Sequence, residues 1–222
     1  MRTLHLVPMI HSDPDLGEAA EQIRTTREKL FGTERLVRHE EVVATFWERV
    51  ESWLQSLDAS RVKIYQDGMV EGGEIGRHIV GELASKGSPN FTCISRLMSA
   101  GAEIRKTEDL PLIRKEYSLT VNLIRARSLV QKIIHLLLAR LQKRGLLKKR
   151  DRYIAHQINT TLQEEELGVL FIGAYHQAHE HLAPDIQVAQ FKSPRLIQAY
   201  MKALKLRGGE DDLHRLAEEL IK

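Results

Sequence analysis

The chain has few of the features that mark secreted or membrane proteins. Its 222 residues include one cysteine, Cys93, and six prolines, and only 5% are aromatic. A lone cysteine excludes an internal disulfide and is typical of a reducing compartment. Cys93 lies within an apolar pattern with helical spacing, which predicts a packed thiol rather than a nucleophile.

Long hydrophobic runs are also missing. The longest strongly apolar run in the long helical region, Ile133 to Ala139, is interrupted by His135. A helix that crosses a bilayer needs roughly 20 apolar residues. The N-terminal residues enter a short apolar strand directly and show no secretion signal. We therefore expect a cytoplasmic globular protein with no membrane partner.

The net charge of +3 is small, but the basic residues are unevenly distributed. Seven basic residues cluster in one short stretch that contains a single acidic residue, Asp151. They are Arg140, Lys143, Arg144, Lys148, Lys149, Arg150 and Arg152. The favoured interpretation is a solvated helix end, where cations complement the helix dipole. The alternative is a surface for an anionic ligand or nucleic acid.

Apolar segments with strand character alternate with helical patterns along the whole chain. Strands are predicted at 4–9, 62–65, 102–105, 168–172 and 185–191. This alternation predicts an α/β fold, with a mostly parallel sheet of about five strands, helices on both faces and a long helical insertion. We expect a single domain over 1–222, in which 112–150 forms a helical subdomain. Gly145 is predicted to interrupt the long helix, and 151–162 to form a separate one. A first helix is predicted after Asp13, which has the position of an N-cap.

Polar residues with possible chemistry follow four of these strands. His11 follows the first strand, Asp67 the second, Glu108 the third and His176 the fourth. Ligands in open α/β sheets bind outside the carboxyl ends of the strands. A mixed set of imidazoles and carboxylates suits a divalent cation such as manganese, cobalt, zinc or iron. The competing interpretation is structural, because helix capping explains some strand-end residues and a single histidine there usually has no catalytic role.

Two further histidines, His179 and His181, follow His176 closely. A spacing of three residues would place His176 and His179 on one helix face. The segment lacks the pattern of zinc proteases, however, and we predict surface positions for both residues.

Two segments resemble the closing signature of a known superfamily. They are Arg150-Asp151-Arg152-Tyr153-Ile154-Ala155 and the strand at 168–172 with its Gly173-Ala174-Tyr175-His176 end. The superfamily includes the TraB/PrgY, Tiki, ChaN and erythromycin-esterase-like proteins. Its opening signature, a strand ending in Gly-x-x-His, is similar to Pro8-Met9-Ile10-His11, where the glycine is absent. Gly101-Ala102-Glu103-Ile104 with Thr107-Glu108 resembles its middle strand, whereas Gln66-Asp67 stands where the family often has a glutamate.

The resemblance implies an α/β fold whose two histidines meet at one site. For Tiki-like members it implies a metal-dependent hydrolase, for ChaN-like members haem or iron binding, and for TraB-like members a regulatory role. The first hypothesis is therefore a divalent-metal-dependent hydrolase of a small-molecule or peptide substrate. His11, His176 and Asp67 would hold the metal, with Glu108 as the alternative carboxylate ligand. Glu108 would otherwise assist catalysis, and Arg152 would clamp an anionic group.

Two alternatives remain open. One is a non-catalytic binding or regulatory protein that uses the basic helical surface for an anionic partner. The other is a homodimer formed through the long helix.

Overall fold

A computed structural model describes residues 1–10, 24–25, 28, 31–125, 129–205 and 209–222. The predicted helix after Asp13 lies largely outside these residues, and so does His11. The strands are β1 (Arg2–Met9), β2 (Val62–Gln66), β3 (Glu103–Arg105), β4 (Leu167–Gly173) and β5 (Ile186–Gln190). They form one parallel sheet in the order β3-β2-β4-β1-β5. The predicted α/β class and all five strands are confirmed.

Helices connect the strands and cover the sheet. They are α1 (Thr33–Gln55), α2 (Gly73–Ser85), α3 (Pro89–Ser99), α4 (Leu110–Arg125), α5 (Leu129–Thr161), α6 (Pro194–Lys205) and α7 (Glu210–Ile221). Local chemistry explains the start of α3, where the Ser88 side chain accepts a hydrogen bond from the Phe91 backbone N–H and Pro89 occupies the first turn. Among the described residues, no helix has the length and hydropathy needed to span a membrane.

The two faces of the sheet bury separate cores. Successive strand side chains point to opposite faces, so Val7 and Val169 enter one core while Leu6 and Leu170 enter the other. The first core packs against α1, α2, α3, α6 and α7, and the second packs against the C-terminal half of α5. Burial on both faces explains why β4, the central strand, is uniformly apolar.

The long helix α5 differs from its prediction. It continues through Gly145 and includes most of the segment 151–162, which was predicted as a separate helix. Glycine inside a helix costs only about 1 kcal/mol, and Leu146, Ile154 and Ile158 of the same helix are buried against the protein. The packing of this apolar face outweighs the cost of Gly145, so the prediction of an interruption there was wrong.

Candidate functional site

Three adjacent strands end at the same edge of the sheet and bring ionisable side chains together. Asp67 directly follows β2, Glu108 comes shortly after β3, and His176 comes shortly after β4. Because the strand order is β3-β2-β4, these residues follow consecutive strands. Helix α5 passes this edge and adds Arg150 and Asp151.

Backbone hydrogen bonds fix Asp67 at this edge. Its N–H donates to the Phe171 carbonyl at 2.9 Å, which extends the pairing of β2 with β4 by one residue. Its Oδ2 accepts a hydrogen bond from the Gly173 N–H at 3.2 Å. The Asp67 carboxylate is thus held against the end of β4.

The loop after β3 is anchored by its backbone. The N–H groups of Thr107 and Glu108 both donate to the Met69 carbonyl, at 2.8 and 2.9 Å. Gly72 permits a close backbone approach here, since a Cβ at that position would lie 2.9 Å from the Lys106 nitrogen. These contacts hold Glu108 in a fully buried position.

The Arg150 guanidinium joins three carboxylates from three elements. Its Nε donates to Glu108 Oε1 at 3.0 Å, and its Nη2 donates to the same oxygen and to Asp67 Oδ1. Its Nη1 donates to Glu116 Oε2 on α4 at 2.5 Å. The Arg150 side chain is only 7% exposed. The other Glu108 oxygen, Oε2, is buried and has no hydrogen-bond partner among the described residues.

His176 lies between two carboxylates. Its Nδ1 donates to Asp151 Oδ1 at 2.6 Å, and its Nε2 faces Asp67 Oδ2 at 3.4 Å. The second separation is longer than the usual range for a nitrogen–oxygen hydrogen bond. The Asp151 contact therefore orients the ring, and Nε2 points towards the Asp67 carboxylate.

Burial and charge shift the ionisation of the cluster. Burial alone would raise the pKa of Asp67, but the charges of His176 and Arg150 and the Gly173 N–H lower it overall. Burial would lower the pKa of His176, yet the Asp151 hydrogen bond and the Asp67 charge raise it overall. Burial raises the pKa of Glu108 despite its bonds to Arg150. Two carboxylates with oppositely shifted pKa values are a recurrent feature of functional sites.

A cavity of about 450 Å³ borders the cluster on the side of α6. Its wall includes His176, Tyr175, His179, Arg195 and Gln198. This volume is within the range of small-molecule sites, so a ligand of that size can approach His176 from this side.

The structure brings together three of the five predicted site residues. Asp67, Glu108 and His176 form the cluster, whereas His11 lies outside the described residues. Arg152 is exposed on α5, and no hydrogen bond or ion pair joins it to the cluster among the described residues. Its predicted role as an anion clamp stays a prediction. His179 is half-buried in a short 3-10 turn and His181 is exposed.

The sequence predicts no site role for Arg150, Asp151 or Glu116. Arg150 belongs to the basic stretch that is interpreted as a solvated helix end, although it stands at four-residue spacing with Leu146 and Ile154 on the buried face of α5. A charged residue within an apolar stripe is a signal of a buried ion pair. Glu116 offered no such signal, because its contact depends on how α4 lies beside α5.

The geometry between His176 and Asp67 is compatible with a shared metal ion. Two ligand atoms, each about 2.1 Å from a tetrahedral ion, lie roughly 3.4 Å apart, and Nε2 and Oδ2 are separated by 3.4 Å. Asp151 holds the distal ring nitrogen, as second-shell carboxylates do for metal-binding histidines. Within the described part of the chain, however, no group of three or more His, Cys, Asp or Glu residues could hold a metal ion. A complete site therefore requires a further ligand.

Comparisons with known protein families, with curated proteins and with solved structures give no match.

Proposed function

We propose that the chain is a divalent-metal-dependent hydrolase that uses the edge formed by β2, β3 and β4. The observation that carries this proposal is the pairing of His176 Nε2 with Asp67 Oδ2 at a separation suited to two ligands of one ion. His11 is the third predicted ligand. It lies outside the described residues, and its part in the site stays a prediction.

The surrounding residues orient the side chains of His176 and Asp67 by hydrogen bonds. Asp151 accepts the Nδ1 proton of His176, so Nε2 is the ring nitrogen that would bind a metal ion in exchange for its own proton. Arg150 and the Gly173 N–H hold the Asp67 carboxylate in one orientation. Glu108 is fully buried and acts through Arg150, which makes it a positioning residue in this proposal.

A divalent ion, when bound, supplies Lewis-acid activation of water and of a carbonyl or phosphoryl group. The cavity beside His176 would admit the substrate, an ester, amide or phosphoester of small size. Arg150 lowers the affinity of Asp67 for any divalent ion, because its positive charge repels a cation. We therefore expect neutral imidazole nitrogen to contribute much of the affinity.

Calorimetric titration with Mn²⁺, Co²⁺ and Zn²⁺ tests the proposal, followed by assays of ester and phosphoester cleavage with each ion. His176→Ala and Asp67→Asn should each reduce affinity by at least tenfold and abolish metal-dependent cleavage. Asp151→Asn should reduce affinity by roughly 10- to 100-fold, the effect typical of second-shell partners. His181→Ala is the matched control, since this nearby histidine is exposed. Binding that is absent, or equal in all variants, would refute the proposal.

A second candidate function is binding of an anionic partner by the outer face of α5. Arg144, Lys148 and Arg152 follow one another at four-residue spacing and are all exposed. Like charges at this spacing slightly destabilise a helix, so an anionic partner would relieve a repulsion. Titration with a fluorescent oligonucleotide across salt concentrations tests this function, because phosphate contacts weaken steeply as salt rises. Absent or salt-independent binding would exclude it.

A further inference from the structure

The cavity beside His176 has a polar wall. Among the described residues that line it, only Ala174 and Pro194 lack a polar group in their side chains. Most small-molecule sites are lined predominantly by hydrophobic and aromatic side chains, so this wall favours a hydrophilic ligand. It contains one arginine, Arg195, and one carboxylate, Glu180.

Arg195 is held at this wall by the position of α6. Gln198 lies three residues further along the helix, on the same face as Arg195. Its Nε2 donates a hydrogen bond to the Ala174 carbonyl at 2.6 Å, which joins α6 to the loop between β4 and His176. Arg195 and His176 therefore line one cavity from two segments that are fastened to each other.

Neither an internal partner nor the stability of α6 explains Arg195. The side chain is exposed, and within the described part of the chain it makes no hydrogen bond or ion pair, not even with Glu180 on the same wall. It also stands in the first turn of α6, where a cation opposes the helix dipole. The N–H groups of this guanidinium are thus available to a ligand in the cavity.

We propose that Arg195 anchors a carboxylate or phosphate group of the ligand and so places the rest of the ligand beside His176. A guanidinium binds either group through two parallel N–H donors. This inference rests on the proposed function, because it narrows the substrate of that site to a small polar molecule with an anionic group. Arg152, the anion clamp predicted from the sequence, does not line this cavity.

The anchored group need not be the group that reacts. Contacts to a part of the substrate away from the reacting centre supply binding energy and hold the reacting part in position. Arg195 has this role for a substrate in the cavity. The competing explanation is a solvated arginine that binds nothing, as expected of Arg49, which is likewise exposed and without a partner among the described residues.

The test is a titration of the isotope-labelled full chain, without metal, with inorganic phosphate and separately with acetate at constant ionic strength. Nuclear magnetic resonance follows the side-chain N–H of Arg195 and the backbone amides of Tyr175 and Gln198. One of the two anions should shift these signals along a saturable curve. The comparison of phosphate with acetate shows which group the subsite prefers.

Four variants give the expected pattern of affinities. Arg195→Gln should weaken the binding of the preferred anion about five- to tenfold. Arg195→Lys keeps the charge but has no planar fork, and should retain only part of the affinity. Glu180→Gln removes the carboxylate from the same wall and should not weaken binding. Arg49→Gln makes the same charge change on α1, outside the cavity, and should leave the affinity unchanged.

Three results would overturn the inference. They are the absence of a saturable shift at Arg195 and Tyr175, an equal weakening in Arg49→Gln, and binding that is lost in Arg152→Gln but intact in Arg195→Gln. The last result would place the anion on α5 instead.

Calorimetry with Mn²⁺ separates this inference from the proposed function. Phosphate or acetate bound at Arg195 in a chain that does not bind Mn²⁺ would support the subsite and refute the hydrolase. Intact Mn²⁺ binding with neither anion in the cavity would do the reverse.

Discussion

Replacement of Arg150 by methionine should destabilise the fold strongly, because the guanidinium is the only described cation in hydrogen-bond contact with both Asp67 and Glu108. The methionine side chain fills much of the same volume but removes the cation beside Glu108, and leaves Asp67 with only His176 and the Gly173 N–H. Glu108 is fully buried, and Asp67 is 15% exposed. Loss of one partner of a buried ion pair typically costs about 3–5 kcal/mol.

Urea unfolding followed by circular dichroism measures this loss. With a denaturant slope of about 2–3 kcal/mol per molar, a loss of about 4 kcal/mol lowers the midpoint by roughly 1–2 M. Arg152→Met is the matched control, since Arg152 is exposed two residues along the same helix, and its effect should stay within about 0.5 kcal/mol. The double variant Arg150→Met/Glu108→Gln removes the buried charge and should recover at least about 1 kcal/mol.

The loss of stability in Arg150→Met should also depend on pH. His176 and Arg150 outweigh the burial of Asp67 and lower its pKa in the folded state. The corresponding stability is present above the unfolded pKa, near 4, and is lost as pH falls through the lower folded pKa. The difference between Arg150→Met and the parent chain should therefore narrow below about pH 4. A loss under 1 kcal/mol at pH 7, or an equal loss in Arg152→Met, would refute this account of the cluster.

Three further predictions concern the elements that hold the site. Thr107→Val removes a hydroxyl that accepts the backbone N–H of the last residue of β2 at 3.1 Å, and urea unfolding should show a loss of about 1–3 kcal/mol. Gly72→Ala places a Cβ against the backbone of Lys106 and should cost about 1–3 kcal/mol, whereas Gly81→Ala, with no neighbouring atom within 4 Å, should not destabilise α2. Burial raises the pKa of Cys93 to about 12, so a disulfide reagent at pH 8 should label it slowly in the folded chain and rapidly in denaturant; rapid labelling of the folded chain would contradict its burial.

The sheet was predictable from the sequence because its physical cause is local. Each strand is a short segment that carries apolar residues, uniformly so in β4, and helical patterns separate the segments, so a parallel sheet with two covered faces follows. The positions of Asp67, Glu108 and His176 were predictable for the same reason, since parallel strands end at a common edge.

The charge network around Arg150 was harder to predict from the sequence than the sheet, because it depends on packing between distant segments. Arg150 lies in a basic stretch whose other described members are exposed, and only its register with Leu146 and Ile154 distinguishes it. The position of Glu116 depends on the pairing of α4 with α5, which no local pattern encodes. The continuity of α5 through Gly145 likewise depends on tertiary packing rather than on intrinsic propensity.

The most direct test of the central claim is a crystal structure of the chain soaked with Mn²⁺, with the ion located by its anomalous scattering. The proposal predicts a single peak about 2.1–2.2 Å from both His176 Nε2 and Asp67 Oδ2, which is absent in His176→Ala. An ion bound elsewhere, or no ion between Asp67 and His176 at saturating Mn²⁺, would contradict the proposed metal site and the hydrolase that depends on it.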